Sequence, residues 1–246
     1  MGQVIAVVSG KGGTGKTSLC AGLASCLAAD GASVLCIDAD IGLRNLDIAL
    51  GMSDLAPIAF TDVLKGRYSL KEATPQGTIP GLFLLTAPIA DAAEEVDKNA
   101  FGKLIEQARE HFDFCMIDAP AGLGIGFELA AGFADRFLAV STPDPASMRD
   151  AACVTDRLTV MNKHDIRLIV NRITPKLFRR MRLTVDDVMD GVGLPLIGIV
   201  PEDPNVMISS ARHEPLILCS DQGAAAACRN IAGRLENRRV PLMKIR

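Results

Sequence analysis

Ser9-Gly10-Lys11-Gly12-Gly13-Thr14-Gly15-Lys16-Thr17 follows the apolar run Val4-Ile5-Ala6-Val7-Val8 and leads into Ser18 to Ala29, which reads as helix. Strand, glycine loop and helix in that order fit the phosphate-binding spacing G-x-x-x-x-G-K-[ST]. Glycines let successive backbone N–H groups turn inward around a polyphosphate, and the start of the helix adds its partial positive charge. In this pattern Gly10 to Ser18 form a nucleotide loop, Lys16 reaches the β- and γ-phosphates, and the Thr17 hydroxyl is placed to bind Mg²⁺. A turn that only reverses the chain is the weaker reading, because the motif comes with both its strand and its helix. A second lysine, Lys11, stands directly after the first glycine. A phosphate loop has no need of it for its own nucleotide, and a flexible cation there can extend toward the phosphates of a neighbouring molecule.

Working outward, 246 residues suffice for one large core, so a single domain is expected. The chain is 49% hydrophobic with no Trp and one Tyr, which favours the aliphatic packing of a buried parallel sheet. A net charge of −3 argues against a general nucleic-acid binder. The charge is uneven, however: from residue 229 onward there are six basic residues against the single acid Glu236. The seven cysteines lack C-x-x-C spacing and mostly lie in apolar stretches, as expected of small buried thiols in a reducing compartment. No secretory signal and no run of membrane-spanning length is present, and Met1-Gly2 lacks the Ser or Thr at position six that myristoylation needs. His111, His164 and His213 are scattered without ligand spacing and receive no chemical role.

Two further apolar runs end in acids. Ser33 to Ile37 ends at Asp38-Ala39-Asp40, and Phe114 to Ile117 ends at Asp118-Ala119-Pro120-Ala121-Gly122. Carboxylates at the C-terminal ends of strands belong beside the phosphate loop, because open α/β sheets bind ligands at those ends. Asp118 is then expected to hold Mg²⁺ through water, Asp38 to support the metal, and Asp40 to orient a water for in-line attack. A helix cap and a turn former are the plainer alternative for Asp38 and Asp40, and the functional reading is favoured over it. The run Arg167 to Val170 ends in Asn171-Arg172, and an Asn amide can offer both donor and acceptor to an adenine edge. Residues 51 to 81, rich in Gly, Pro and Thr, read as a surface crossover with a short helix at Thr61 to Lys65. Lys176 to Arg182 is a basic cluster with apolar residues between the cations, read either as a solvated connector or as a contact for an acidic partner or lipid headgroups.

With Lys11 in place, the loop resembles the deviant Walker A box of the MinD/ParA ATPases. Asp38-Ala39-Asp40-Ile41-Gly42-Leu43-Arg44-Asn45-Leu46-Asp47 and the D-x-P-A-G string at Asp118 are similar to the MinD branch of that family. The exit of the strand Pro195 to Val200, with Pro201 and Glu202, is similar to the family's adenine-side loop. The resemblance runs from Gly2 to about Ile217. It implies a P-loop α/β fold over residues 1–236, with a mainly parallel central sheet flanked by helices on both faces. It further implies a Mg²⁺-dependent ATPase with ATP or ADP as ligand and slow basal turnover, and an ATP-dependent homodimer in which Lys11 crosses to the partner's nucleotide. An activating or effector protein of the MinE or MinC kind is expected with it. Pro145, in a helix start that relatives use near the interface, departs from the family's usual string.

Family members on the MinD side end in a short amphipathic membrane-binding helix. Residues 237–246, with Val240, Leu242, Met243 and Ile245 among cations, have that character in part, but Pro241 interrupts them and a basic disordered tail fits nearly as well. The expected location is cytoplasmic, with peripheral contact at the inner membrane face, and the expected role is septum site selection. A regulator of flagellar number of the FlhG type shares these motifs, but such proteins carry an extra N-terminal segment, for which there is no room before Val4. A ParA-type DNA partition ATPase is disfavoured by the acidic body. An iron–sulfur protein is disfavoured by the absence of cysteine pairs after the carboxylate strands.

Overall fold

The computed structural model of the chain describes residues 1–55, 58–88 and 96–243. The first strand, β1 (Gln3–Ser9), is the centre of the sheet. The chain leaves it through the glycine loop into α1 (Lys16–Ala29), then lays down β2 (Val34–Asp38) and β3 (Leu82–Leu85) on one side. It returns to insert β4 (Phe114–Ala121) next to β1, then crosses to β5 (Arg136–Ser141), β6 (Ile166–Ile173) and β7 (Leu196–Pro201) on the other. The strand order is β3-β2-β4-β1-β5-β6-β7, and every pairing is parallel. Successive connections diverge around β1, and this places the glycine loop in the crevice where such sheets bind ligands.

The sheet is covered on both faces, which is why its strands read as unbroken apolar runs. Alternate side chains of β1 enter different layers: Val4, Ala6 and Val8 face one, Ile5 and Val7 the other. The first layer is made by α5 (Lys98–His111), α6 (Ile125–Phe133), α7 (Pro145–Val160) and α9 (Val185–Val192). The second is made chiefly by α1 and α12 (Gly223–Leu235), which pack on each other as well as on the sheet. Caught between them, α1 is apolar nearly all round.

The crossover differs from its expected surface character. It forms α3 (Phe60–Leu64) and α4 (Leu70–Ala73), the latter started by a Ser69–Glu72 capping box, and it buries Met52, Phe60, Leu70 and Ile79. Phe60 meets Phe101 of α5 edge-on with centroids 5.6 Å apart, so the segment supplies core to the same domain. Its apolar residues stand at irregular intervals and leave no periodic signal. Residues 56 and 57 of the crossover lie outside the described residues.

The tail is held against the body as far as Met243. Arg234 of α12 donates to the carbonyls of Ile197 (2.8 Å), Val240 (3.1 Å) and Pro241 (2.6 Å), while Arg238 pairs with Asp30 and Glu236. Met243 packs against the core, Leu242 stays about half exposed, and residues 244–246 lie outside the described residues. Among the described residues no helix is long and apolar enough to cross a membrane.

Cys20, Cys26, Cys36, Cys115 and Cys228 are buried, whereas Cys153 is exposed and Cys219 partly so. Burial pushes the thiols of Cys26 and Cys115 up to about 12. Folded protein should therefore titrate two thiols with an aromatic disulfide reagent and the remaining five only after denaturation; early reaction of all seven would contradict this packing.

Candidate functional site

At the end of β1, the Ser9 hydroxyl donates to the Lys11 carbonyl (2.9 Å), and the Gly122 N–H after β4 donates to the Ser9 carbonyl (3.0 Å). Gly10 lies against α7 so closely that a Cβ there would sit 2.3 Å from the Asp150 carbonyl oxygen. Gly15 has φ of +89°, which a side chain would strain, and a Cβ on it would sit 2.3 Å from the Asn171 amide nitrogen. It also stands at the N-cap of α1 with no side chain to accept from the helix's first N–H groups. Those donors, with Lys16 buried as the first helical residue, form an anion site that the protein itself does not fill. The Thr14 hydroxyl is buried and has no partner.

Facing this positive end are three carboxylates. β2 and β4 run in register, so that Asp38 and Asp118 are neighbours across the sheet, both buried. Burial pushes Asp118 up to about 6, against the pull of Lys16 and a hydrogen bond from Thr17. Its Oδ1 atom is buried without a partner. Asp38 is pushed up to about 7 by burial, opposed by the hydrogen bond from the Asp40 N–H. Asp40 is only partly buried, and desolvation raises it while Lys16 lowers it.

An orphaned carboxylate oxygen beside the Thr17 hydroxyl is a donor set of hard oxygens, which suits Mg²⁺. Among the described residues no three His, Cys, Asp or Glu side chains gather as a cage. Mg²⁺ needs no such cage, because it keeps several waters and takes phosphate oxygens. Asp38 stands next to Asp118 in the sheet register, and its side chain also braces the chain that follows. Its two oxygens accept from the Asp40 N–H (2.9 Å) and the Leu46 N–H (3.4 Å), so the side chain anchors the 40–46 loop.

On the other side of the loop a cavity of about 280 Å³ is lined by Gly15, Ser18, Asn171, Arg172, Pro201 and Glu202. The expected base-side residues are thus brought together with the loop. Asn171, however, spends one amide hydrogen on the Thr14 carbonyl (2.7 Å), which leaves its oxygen and other hydrogen for a base. Arg172 grips Glu202 in a bidentate pair (2.6 and 3.1 Å) and donates to the Gly13 carbonyl (3.2 Å), so this pair braces the loop. The sequence reading missed the apolar lining from Val206, Leu216, Ala224 and Cys228, which comes from three later elements and shares no motif.

Lys11 does not project freely. Its Nζ lies 3.7 Å from Oδ1 of Asp144, with both side chains about half exposed. Asp144 caps α7 by accepting from the Ser147 N–H (3.0 Å) and also accepts from the Thr142 hydroxyl (2.5 Å). Partial burial would raise its pKa, but these hydrogen bonds and Lys11 bring it below the usual carboxylate range.

A parallel sheet with this loop, an uncapped helix start and carboxylates on adjoining strands defines a P-loop nucleotide-binding protein. Residues 5–216 match the family model for the CobQ/CobB/MinD/ParA nucleotide-binding domain. The chain is 37% identical to the septum site-determining protein MinD of Synechocystis over 99% of its own length and 92% of that protein's. It is 33% identical to MinD of Bacillus subtilis, covering 98% and 92%. Among solved structures, the chain from the MinC:MinD complex of Aquifex aeolicus superposes with a TM-score of 0.91 at 36% identity, covering 98% of each chain. MinD of Pyrococcus horikoshii, complexed with Mg-ADP, superposes with a TM-score of 0.86 at 28% identity, covering 96% of each. The chain belongs to the MinD/ParA family of nucleotide-binding ATPases.

Raised carboxylate pKa values carry a signed consequence for stability. A group whose folded pKa lies above its unfolded value contributes fully below the unfolded pKa and loses that contribution as pH rises through the folded one. For Asp118 the loss runs from the ordinary Asp range to about 6. Asp118→Asn should therefore stabilise nucleotide-free, metal-free protein at about pH 8, on the order of 2 kcal/mol, with the gain shrinking toward about pH 4. Urea unfolding at the two pH values measures it; a less stable variant at the higher pH would contradict the electrostatic description.

Proposed function

We propose that the chain is a Mg²⁺-dependent ATP hydrolase with slow basal turnover, working as an ATP-driven dimerisation switch in septum site selection, as a MinD-like regulator. The observation that carries this reading is Lys11, a half-exposed cation on the rim of the phosphate loop, resting 3.7 Å from a surface carboxylate. A weak pair of that kind holds the side chain without locking it, since exposed ion pairs contribute about 1 kcal/mol or less.

In this scheme the N–H groups at the start of α1, the glycine loop and Lys16 bind the phosphates, with Thr17 and Asp118 toward the metal. Mg²⁺, when bound, offsets the negative charge of the phosphates. Asp40, partly buried at the end of β2, orients the attacking water, and Asp38 keeps Asp40 in place by accepting its N–H. Lys11 of each copy leaves Asp144 for the nucleotide of the other, adding a cation where charge develops in phosphoryl transfer. Asn171, Arg172, Pro201 and Glu202 shape the base side. The 36% identity with the Aquifex chain of the MinC:MinD complex supports an effector of the MinC kind.

Size-exclusion chromatography with light scattering tests the switch. Wild type is expected to be monomeric with Mg-ADP and dimeric with Mg-ATP, Asp40→Ala to stay dimeric in ATP for longer, and Lys11→Ala to remain monomeric. A monomer under every condition would refute the switch while leaving nucleotide binding intact.

We also propose that residues 237–246 make peripheral contact with anionic lipid at the cytoplasmic face, which requires the segment held by Arg234 and Arg238 to let go. Co-sedimentation with phosphatidylglycerol vesicles and ATP should pellet more of the intact chain than of one ending at Asn237. Equal pelleting would remove the anchor.

A further inference from the structure

The basic cluster at Lys176 to Arg182 has no part in the scheme above, and its placement gives it one. α8 (Pro175–Arg180) follows β6 directly, buries none of its residues, and turns at Arg182, whose φ is +54°. Lys176, Arg179, Arg180 and Arg182 are all exposed. Among the described residues none of the four enters an ion pair; Arg179 makes one hydrogen bond, to the Pro175 carbonyl (3.4 Å). Among the described residues no ion pair joins them to the acids of α9, and Asp187 is committed to the Thr184 cap. Four uncompensated cations on seven residues of an acidic protein make a local field that draws an anionic ligand.

The cluster also has an apolar side. Leu177 is 51% exposed, and with Met181 it lines a cavity of about 480 Å³ that extends to Pro143, Lys11 and the outer face of the glycine loop. Asp144 and Glu202 lie on its wall, but each already faces a cation, Lys11 and Arg172. We propose that in the monomer, where Lys11 rests on Asp144, α8 and this cavity form a docking surface for an acidic peptide segment of a partner protein, whose carboxylates meet the α8 cations while an apolar side chain fills the space beside Leu177 and Met181. A nucleic-acid backbone fits less well. The chain has one Tyr and no Trp for stacking bases, and the exposed Leu177 and Met181 beside the cations offer nothing to a phosphate.

Fluorescence polarisation with a labelled synthetic peptide of Glu and Leu residues, on the full chain, tests the proposal. Binding should weaken with salt. It should fall at least about tenfold, or ~1.4 kcal/mol, in Lys176→Glu/Arg180→Glu, and several-fold in Leu177→Ser. Lys71→Glu/Lys103→Glu, the same charge change at exposed sites elsewhere, should leave it unchanged. ATP turnover of every variant should match wild type, which reports intact folding; Arg179→Ala/Arg182→Ala serves if the charge reversal disturbs it. The proposal is overturned by no binding, by equal weakening in both charge-reversal variants, or by duplex DNA or phosphatidylglycerol vesicles binding through α8 in place of the peptide.

Discussion

The arrangement at the switch point of the sheet depends on an imbalance that the protein cannot resolve alone. One side presents backbone N–H groups, a buried Lys16 and an uncapped helix start; the other presents Asp118 and Asp38, both buried, with Asp40 between solvent and core. A polyphosphate answers the first side and a divalent cation the second, so a metal–nucleotide complex neutralises both at once. Without it, Asp118 keeps an orphaned oxygen and a raised pKa, and the Thr14 hydroxyl lacks a partner. Folding stability is sacrificed there for a site ready to be filled.

Around that imbalance the remaining polar contacts act as braces. Asp38 holds the loop bearing Asp40 by its backbone, Asn171 holds the glycine loop at Thr14, and the Arg172–Glu202 clasp holds it at Gly13. The first acts from the end of β2 and the other two from adjacent residues of β6. In the proposed switch these braces would carry nucleotide state to the loops after β2 and β6.

What the sequence made legible was whatever is local. The glycine loop with its strand and helix, and the acids closing two apolar runs, are contiguous; they located the site, and the family resemblance they carry implied the mainly parallel sheet. Lys11 was recognisable as surplus to the loop, but its resting place on Asp144 was not, because that contact spans more than a hundred residues. The position of Asp38 beside Asp118 was legible from its place at a strand end, but its hold on the N–H groups of Asp40 and Leu46 was not. The burial of Phe60 and Met52, the apolar lining of the base cavity, and the strapping of the tail by Arg234 depend on tertiary neighbours and leave no periodic trace. Fold class is a property of patterns along the chain, and the side-chain contacts within the site are a property of how distant patterns meet.

At the centre of the proposed switch is a lysine that would complete the site of a second molecule. Mixing two inactive variants tests this most directly: Lys11→Ala supplies a complete acid side, and Asp40→Ala supplies an intact Lys11. A mixed pair holds one nucleotide with both. The account predicts that the mixture hydrolyses ATP well above the sum of the two variants measured separately; a mixture that merely averages them would contradict it.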